Sequence, residues 1–177
     1  MTMIARSGAQ WHSEQEDDTM LTLGNNNFLE HDDGGRELAG YSGARRDCVV
    51  RAISIATSRP YQIVYDEINS LAQSERIGKR KVGKSNAGNG TGVYKPTVRK
   101  YIAGLGWEWH PTMRIGQGCK VHLRADELPQ GRLIVQVSKH LVAMIDGVIH
   151  DTHDPSRNGT RCVYGYWSED QSGEMRE

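Results

Sequence analysis

The sequence lacks any apolar run that approaches the roughly 18 residues needed by a membrane-spanning helix. Its N-terminal apolar run is also too short for a secretory signal. Basic and acidic residues balance at 22 each, so the overall charge does not attract the whole molecule to a polyanion. These absences argue against a membrane or secreted protein, and we expect a cytoplasmic protein.

Cysteine is scarce and follows neither a disulfide nor a metal pattern. The three cysteines, Cys48, Cys119 and Cys162, are an odd number and include no CxxC pair. We therefore expect no disulfide framework and interpret all three as thiols in a reducing compartment.

Carboxylates are absent from Arg76 to Trp107, whereas basic residues are frequent there. Within this positive stretch, residues 77–92 are rich in glycine and lysine and have no apolar period, which predicts a loop. We expect this loop to contact an anionic substrate or a nucleic acid. Its candidate substrate-binding residues are Lys79, Arg80, Lys81 and Lys84.

Residues 78–85 match the phosphate-loop pattern GxxxxGK[ST]. That pattern binds phosphate only between a buried strand and the N-terminus of a helix. Here a predicted helix precedes it, and glycine-rich residues 86–92 follow it. We therefore expect a solvated basic loop and no nucleotide or other cofactor.

The chain divides into a flexible or irregular segment, residues 1–30, and one domain, residues 31–177. A helix that is apolar nearly all round begins at Cys48 and should be buried, although a buried strand is a competing interpretation. Two further helices are expected after Pro60 and from Pro96, since proline favours the first turn of a helix.

The last third of the sequence reads as strands. We expect them at residues 107–109, 120–123, 132–137, 140–145 and 148–153. Asp146-Gly147, between the last two, is a strong signal for a two-residue hairpin turn. Helices followed by strands, without alternation, predict an α+β fold with an antiparallel sheet.

Cys48 is the candidate nucleophile. Asp47 is a good N-cap for the helix that starts there. A thiol in the first turn experiences the positive end of the helix dipole, which favours the thiolate. A cysteine that only fills the core is the alternative.

The hairpin register indicates which side chains can assist Cys48. A two-residue turn pairs Val142 with Asp151 and His140 with His153, so Asp151 lies diagonally across from His140. A base held by a carboxylate is the arrangement that activates a thiol. We therefore predict Cys48, His140 and Asp151 as catalytic residues, with the Cys48 helix packed on this hairpin face. The alternative is a histidine and an aspartate on a solvated strand.

The same region offers a candidate metal cluster. Its members are His140, His150, Asp151, His153 and Asp154. No compact ligand motif is present, and His150 points to the opposite face by parity. We therefore expect no metal.

Residues 131–152, with His140 at the head of one strand and Asp151 at the end of the next, resemble the papain-like cysteine peptidases, and most closely the bacteriocin-processing branch. Residues 47–53 also look similar to uncharacterised phage proteins. The resemblance implies a papain-like fold and a Cys–His–Asp thiolate mechanism. It also implies a protein or peptide substrate, attacked at an amide, isopeptide or thioester bond, and the host cytoplasm as location if a phage encodes the protein.

The sequence departs from that family at one position. The family has a glutamine about six residues before the cysteine that donates to the oxyanion hole, whereas this chain has Ser42, with Arg45 and Arg46 nearby. The backbone N–H of Cys48 can supply one donor. The missing donor supports a second hypothesis, a catalytically weak or inactive binding module. Such a phage-encoded effector or inhibitor would act through the basic residues 76–100.

Overall fold

The computed structural model describes residues 28–29, 31–43, 46–79, 83–88 and 92–169. Its elements are β1 (Phe28–Leu29), α1 (Cys48–Thr57), α2 (Tyr61–Gln73), α3 (Lys95–Gly104), β2 (Trp107–Pro111), β3 (Arg132–Val137), β4 (His140–Ile145), β5 (Val148–His150) and β6 (Val163–Glu169). None of the helices within these ranges has the length and apolar character needed to cross a membrane.

The strands form one sheet in the order β1-β5-β4-β3-β6-β2. Strands β2 to β6 pair antiparallel, and β1 joins β5 in parallel. Three helices pack on this sheet, which confirms the predicted α+β class. Strand β1, Phe28–Leu29, lies at the end of the segment predicted to be flexible or irregular, and a two-residue strand is too short to show alternation in the sequence. Residues 1–27 and 30 lie outside the described ranges.

Helix α1 is the buried centre of the helical layer. Residues Cys48–Thr57 form an α-helix, so the competing interpretation as a strand is wrong, and Val50, Ile53 and Ala56 have no exposed surface, as predicted for a buried helix. Its β-branched residues have a modest intrinsic preference against helix, which tertiary packing overrides. Arg51 is the exception in this apolar helix, since only 7% of it is exposed. A charge so deeply buried requires paired partners.

Helices α2 and α3 confirm the predictions made from proline. Pro60 immediately precedes α2, and Pro96 is the second residue of α3. Helix α2 packs against α1, and α3 packs against α2 and β2. The helices thereby place the N-terminus of α1 near the N-terminus of α3, on the same cleft.

The hairpin formed by β4 and β5 confirms the predicted turn. Asp146 has φ +48° and Gly147 has φ +80°, as a two-residue type I′ turn requires. Ile145 pairs with Val148, and the ladder extends to the pair Ala143 and His150. The two predicted pairs beyond that point do not form, because β5 ends at His150 and the chain bends at the next residue.

The two faces of the sheet carry separate apolar clusters. Leu141 and Ala143 pack with α1, whereas Val142 and Met144 belong to a cluster on the other face. By strand alternation, His140 shares parity with Val142 and Met144. The prediction that α1 packs on the face of His140 is therefore wrong. The helix covers the opposite face, and its first residue meets His140 at the beginning of β4.

The C-terminal strand β6 was not predicted, and its sequence explains why. Only alternate residues of β6 are buried, and one of these is Gly165, which reads as a strand breaker. Here the glycine permits a close approach, because a Cβ at this position would lie 2.3 Å from the ring of Trp109. Strand β6 pairs with both β2 and β3. The expected strand at residues 120–123 is only an isolated bridge, between His122 and Cys162.

The prediction of three free thiols is wrong, and the β-bridge between His122 and Cys162 explains why. It brings Cys119 beside Cys162, with their Cα atoms 5.8 Å apart, and the two form a disulfide. The two residues are 43 positions apart, so no local spacing could reveal the bond. Cys48 is the free cysteine among the described residues.

Candidate active site

Cys48 is the first residue of α1, where the helix dipole acts on it. Asp47 occupies the N-cap position, but its side chain makes no capping hydrogen bond. Its carboxylate instead accepts bonds from Arg36 at 2.7 Å, Arg51 at 3.1 Å and the Tyr61 hydroxyl at 2.8 Å. The residue before Cys48 is therefore fixed by three side chains, and its carboxylate does not cap the first-turn amides.

The Cys48 thiol forms a hydrogen bond with His140 and accepts another from the backbone N–H of Leu141. Burial raises the pKa of Cys48, but the His140 hydrogen bond and charge, the Leu141 N–H and the charge of Arg51 together hold it below its ordinary value. The site therefore favours a thiolate, which is the nucleophilic form.

His140 lies between the thiol and a carboxylate. Its Nε2 is 2.6 Å from Oδ2 of Asp151, which leaves Nδ1 for Cys48. Burial lowers the pKa of His140, but the hydrogen bonds with Asp151 and Cys48 outweigh it and raise the pKa to about 9. Burial likewise raises the pKa of Asp151, while the bond to His140 and the charge of Arg51 bring it below its ordinary value. The three groups therefore favour imidazolium beside thiolate and carboxylate.

Arg51 connects the two ends of this site. Its Nη1 donates to Asp151 Oδ1 at 2.7 Å, and its Nε donates to Asp47 at 3.1 Å. All three side chains are nearly inaccessible to solvent, so each charge depends on the others for compensation. Sequence reasoning missed Arg51 and Asp47 as members of the site. The available signal was a single charge in an otherwise apolar helix.

Cys48 and His140 open onto a cleft of about 630 Å³. Its described lining has four cationic side chains and no carboxylate. The lining residues are Arg46, Cys48, Val49, Arg51, Gly92, Val93, Lys95, Val98, Gln136, Val137, Lys139, His140, Leu141 and His153. The cleft therefore has a positive rim, from Lys95 on one wall and Lys139 beside His140, around an apolar interior. Sequence reasoning missed Lys139 and Gln136.

The predicted substrate-binding loop does not supply that rim within the described residues. Lys79 is exposed, and Lys84 donates to the carbonyl of Gln73 at the end of α2 at 2.5 Å. Neither lines the cleft. Arg80 and Lys81 lie outside the described residues. Among the described basic residues of the positive stretch from Arg76 to Trp107, Lys95 is the one that lines the cleft.

The histidines of the proposed metal cluster are separated. His150 binds Asp32, with Nδ1 2.8 Å from Oδ2, whereas His140 binds Asp151. The His153 ring lies 5.8 Å from that of His140. Within the described ranges, no group of three or more candidate ligands is placed to hold a metal ion.

Ser42 lies at the position in the sequence expected for an oxyanion-hole donor but is not part of the cleft. It is exposed, and its carbonyl accepts a bond from Arg36 at 3.0 Å. Arg45 lies outside the described residues. The backbone N–H of Cys48 remains the candidate donor for a developing oxyanion.

No family model, curated protein or solved structure matches this chain.

Proposed function

We propose that the protein is a papain-like cysteine hydrolase or acyltransferase in which Cys48 is the nucleophile, His140 the acid and base, and Asp151 the residue that orients the imidazole. One observation carries the proposal: the thiol at the N-terminus of α1 hydrogen-bonds to an imidazole whose other nitrogen is 2.6 Å from a buried carboxylate. A thiol bonded to an imidazole, which is in turn bonded to a carboxylate that orients it, is the arrangement that activates a thiol for nucleophilic attack.

Acylation begins with the Cys48 thiolate, whose sulfur bonds to the carbonyl carbon of an amide, isopeptide or thioester. The carbonyl π electrons move to oxygen, and the Cys48 N–H stabilises this oxyanion. As the intermediate collapses, the carbonyl reforms and the bond to the leaving group breaks. His140 gives its proton to the leaving amine or thiol, and an acyl-thioester on Cys48 remains.

Deacylation reverses the role of His140. The neutral imidazole takes a proton from water, and the hydroxide oxygen bonds to the thioester carbon. The C–S bond then breaks and releases a carboxylic acid, so Cys48 leaves as thiolate and His140 is imidazolium again. If an amine takes the place of water, the same steps give acyl transfer.

A protein or peptide fits the cleft as a substrate. At about 630 Å³ the cleft can enclose several side chains. The exposed Lys95 and Lys139 in the lining favour a substrate with negative charge near the reacting bond, whereas Arg51 is already compensated by Asp47 and Asp151. The anionic contact expected at the basic loop is therefore proposed for Lys95 and Lys139 instead.

The cytoplasmic location expected from sequence remains a proposal. The disulfide between Cys119 and Cys162 weighs against it, because cytosolic thiols are normally kept reduced.

The proposed thiolate is tested by alkylation of Cys48 with iodoacetamide at graded pH, followed by intact mass. Because Cys119 and Cys162 are joined, the reaction reports Cys48. We expect a midpoint below the ordinary thiol value of about 8.5. His140→Ala should move the midpoint to this value or above, because burial then dominates. His150→Ala, which removes the other aspartate-bound histidine of the same hairpin, is the matched control and should leave it unchanged.

Hydrolysis of a peptide and thioester panel extends this test. Activity should rise as pH passes the lowered pKa of Cys48 and fall as pH passes about 9, where His140 loses its proton. Cys48→Ala should abolish it. An ordinary alkylation profile in the wild type would overturn the proposal.

The second hypothesis, a catalytically weak or inactive binding module, predicts the opposite effect of replacing Cys48. Lys79 is exposed and lies away from the cleft lining, so the basic loop could engage a partner independently of Cys48. Under that hypothesis, joint replacement of Lys79, Arg80, Lys81 and Lys84 abolishes function and Cys48→Ala preserves it.

A further inference from the structure

Gln136 is a buried polar side chain in the middle of the apolar strand β3. It is 6% exposed, and its neighbours along the strand, Val135 and Val137, are buried apolar residues. By strand alternation it shares a face with Ile134, which packs in the cluster under the helices. Gln136 therefore faces α1 and lines the cleft.

The backbone of Gln136 pairs with Leu141 and Gly165, and its carboxamide atoms are not among the fully buried polar atoms without a partner, so they are open to the cleft that the residue lines. Buried polar groups are nearly always hydrogen-bonded, and one that opens onto a cleft can bond to a ligand or water there. The Gln136 amide is therefore a polar group on a largely buried side chain that lines the cleft and can bond to a ligand there.

The surroundings of Gln136 define what could bond to its amide. Val49 of α1, Val98 of α3 and Leu141 of β4 line the same cleft with apolar surface. Leu141, the cross-strand partner of Gln136, donates its N–H to the Cys48 sulfur. The amide thus lies one cross-strand pair from the backbone group that contacts the nucleophile, near enough for a substrate side chain beside the reacting bond.

We propose that Gln136 is the specificity-determining residue of a subsite for a substrate side chain with an apolar stem and a hydrogen-bonding end, as in glutamine or glutamate; this inference rests on the proposed hydrolase function. The valines and Leu141 contact the stem, and the Gln136 carboxamide bonds to the terminal amide or carboxylate. Lys95 and Lys139 at the rim make a substrate lysine unfavourable by like-charge repulsion.

Such a subsite discriminates strongly against side chains that lack the polar end. A site built to hydrogen-bond a substrate group loses that bond with an apolar analogue, and its own buried group stays unpaired. Norleucine matches glutamine and glutamate in length without offering a hydrogen bond, so it isolates the contribution of the amide.

The experiment uses acetyl-dipeptidyl vinyl sulfones as probes, because no natural substrate is required. The Cys48 thiolate adds to the vinyl carbon β to the sulfone, and the carbanion formed at the carbon next to the sulfone takes the proton of His140 to give a stable thioether. Four side chains, glutamine, glutamate, norleucine and lysine, are placed in turn at each of the two peptide positions. Second-order rates of mass addition to the full-length protein give a ratio of the glutamine to the norleucine probe within each variant.

At one peptide position, the wild type should favour glutamine and glutamate over norleucine by about 10- to 100-fold, with lysine slowest. Gln136→Leu should bring the glutamine-to-norleucine ratio close to one. Gln136→Glu should raise the glutamine probe relative to the glutamate probe. The exposed Gln117→Leu is the matched control and should retain the wild-type ratio. Because each ratio is internal to one protein, a general loss of reactivity cancels.

Two results would overturn the subsite: a wild type that reacts with all probes at similar rates, or a Gln136→Leu protein that keeps the wild-type ratio. These differ from failure of the hydrolase proposal, in which Cys48 shows an ordinary alkylation profile and reacts with every probe no faster than a free thiol.

Discussion

Two histidine–aspartate pairs lie on one hairpin, and they differ in what surrounds them. His140 in β4 binds Asp151 at 2.6 Å, and His150 in β5 binds Asp32 at 2.8 Å. The first pair adjoins the Cys48 thiol, and its carboxylate also binds Arg51. The second pair lies on a shallower surface cavity whose described lining contains no cysteine.

The comparison teaches that a hydrogen-bonded histidine and aspartate do not by themselves make a reactive site. Asp151 is almost fully buried, whereas about a quarter of the Asp32 side chain is exposed. Burial strengthens the dependence of each charge on its partner, since water screens it less. The first pair differs in that it adjoins a thiol at a helix N-terminus and in that a buried arginine binds its carboxylate.

The largest expected difference between the pairs concerns activity. Asp151→Asn should lower kcat/KM on a responsive peptide or thioester by about 10²- to 10⁴-fold, because the amide no longer holds the His140 tautomer or stabilises its imidazolium. Asp32→Asn should change it by no more than about twofold, because it touches neither Cys48 nor His140.

Steady-state kinetics with both variants, together with alkylation at graded pH, measure this difference. In Asp151→Asn the alkylation midpoint should also move upward, since His140 then stabilises the thiolate less. Equal losses in the two variants would contradict the assignment of Asp151 as the orienting residue.

The hairpin was predictable because its signals are local. Asp146-Gly147 supplies the positive φ angles of a two-residue turn, and this fixes the register that brings His140 and Asp151 to the same end of the sheet. The helix from Cys48 was predictable from its continuous apolar character. The proposed roles of Cys48, His140 and Asp151 thus follow from short-range patterns.

What could not be predicted depends on contacts distant in sequence. Arg51 binds a carboxylate 100 residues away. The disulfide depends on a bridge between a loop and the residue before β6. Both faces of the sheet carry an apolar cluster, and α1 packs on one of them. Strand alternation alone does not indicate which face the helix covers. Each needs the assembled fold, because no local spacing encodes it.

The next expected effect tests the burial that separates the two pairs. Arg51→Met keeps the apolar stem but leaves Asp47 and Asp151 without this cation. The side chains of these two aspartates are only 2% and 4% exposed. Loss of one partner from a buried charge network costs about 3–5 kcal/mol, so the free energy of unfolding in urea should fall by this amount.

Arg59→Met is the matched control, because Arg59 forms a 2.7 Å pair with Glu67 but the two side chains are 32% and 42% exposed. An exposed pair contributes about 0–1 kcal/mol. If the two variants lost equal stability, the buried network would not be what distinguishes the active-site pair.

The smallest expected effect concerns the second pair and its dependence on pH. The hydrogen bond from His150 lowers the pKa of Asp32 below its ordinary value, although burial opposes this. A carboxylate with a lowered pKa stabilises the fold fully above its unfolded value, near 3.8, and loses this contribution as pH falls through the folded value. Asp32→Asn should therefore cost about 1 kcal/mol or less in urea unfolding at pH 6. The difference from wild type should shrink towards zero as pH falls below 3.8 and through the lowered pKa of the folded state, because the wild-type carboxylate is then protonated as well. A difference that stays constant or grows on acidification would mean that Asp32 stabilises the fold by packing or turn formation. The His150–Asp32 pair would then differ from the His140–Asp151 pair in the type of interaction and not only in burial.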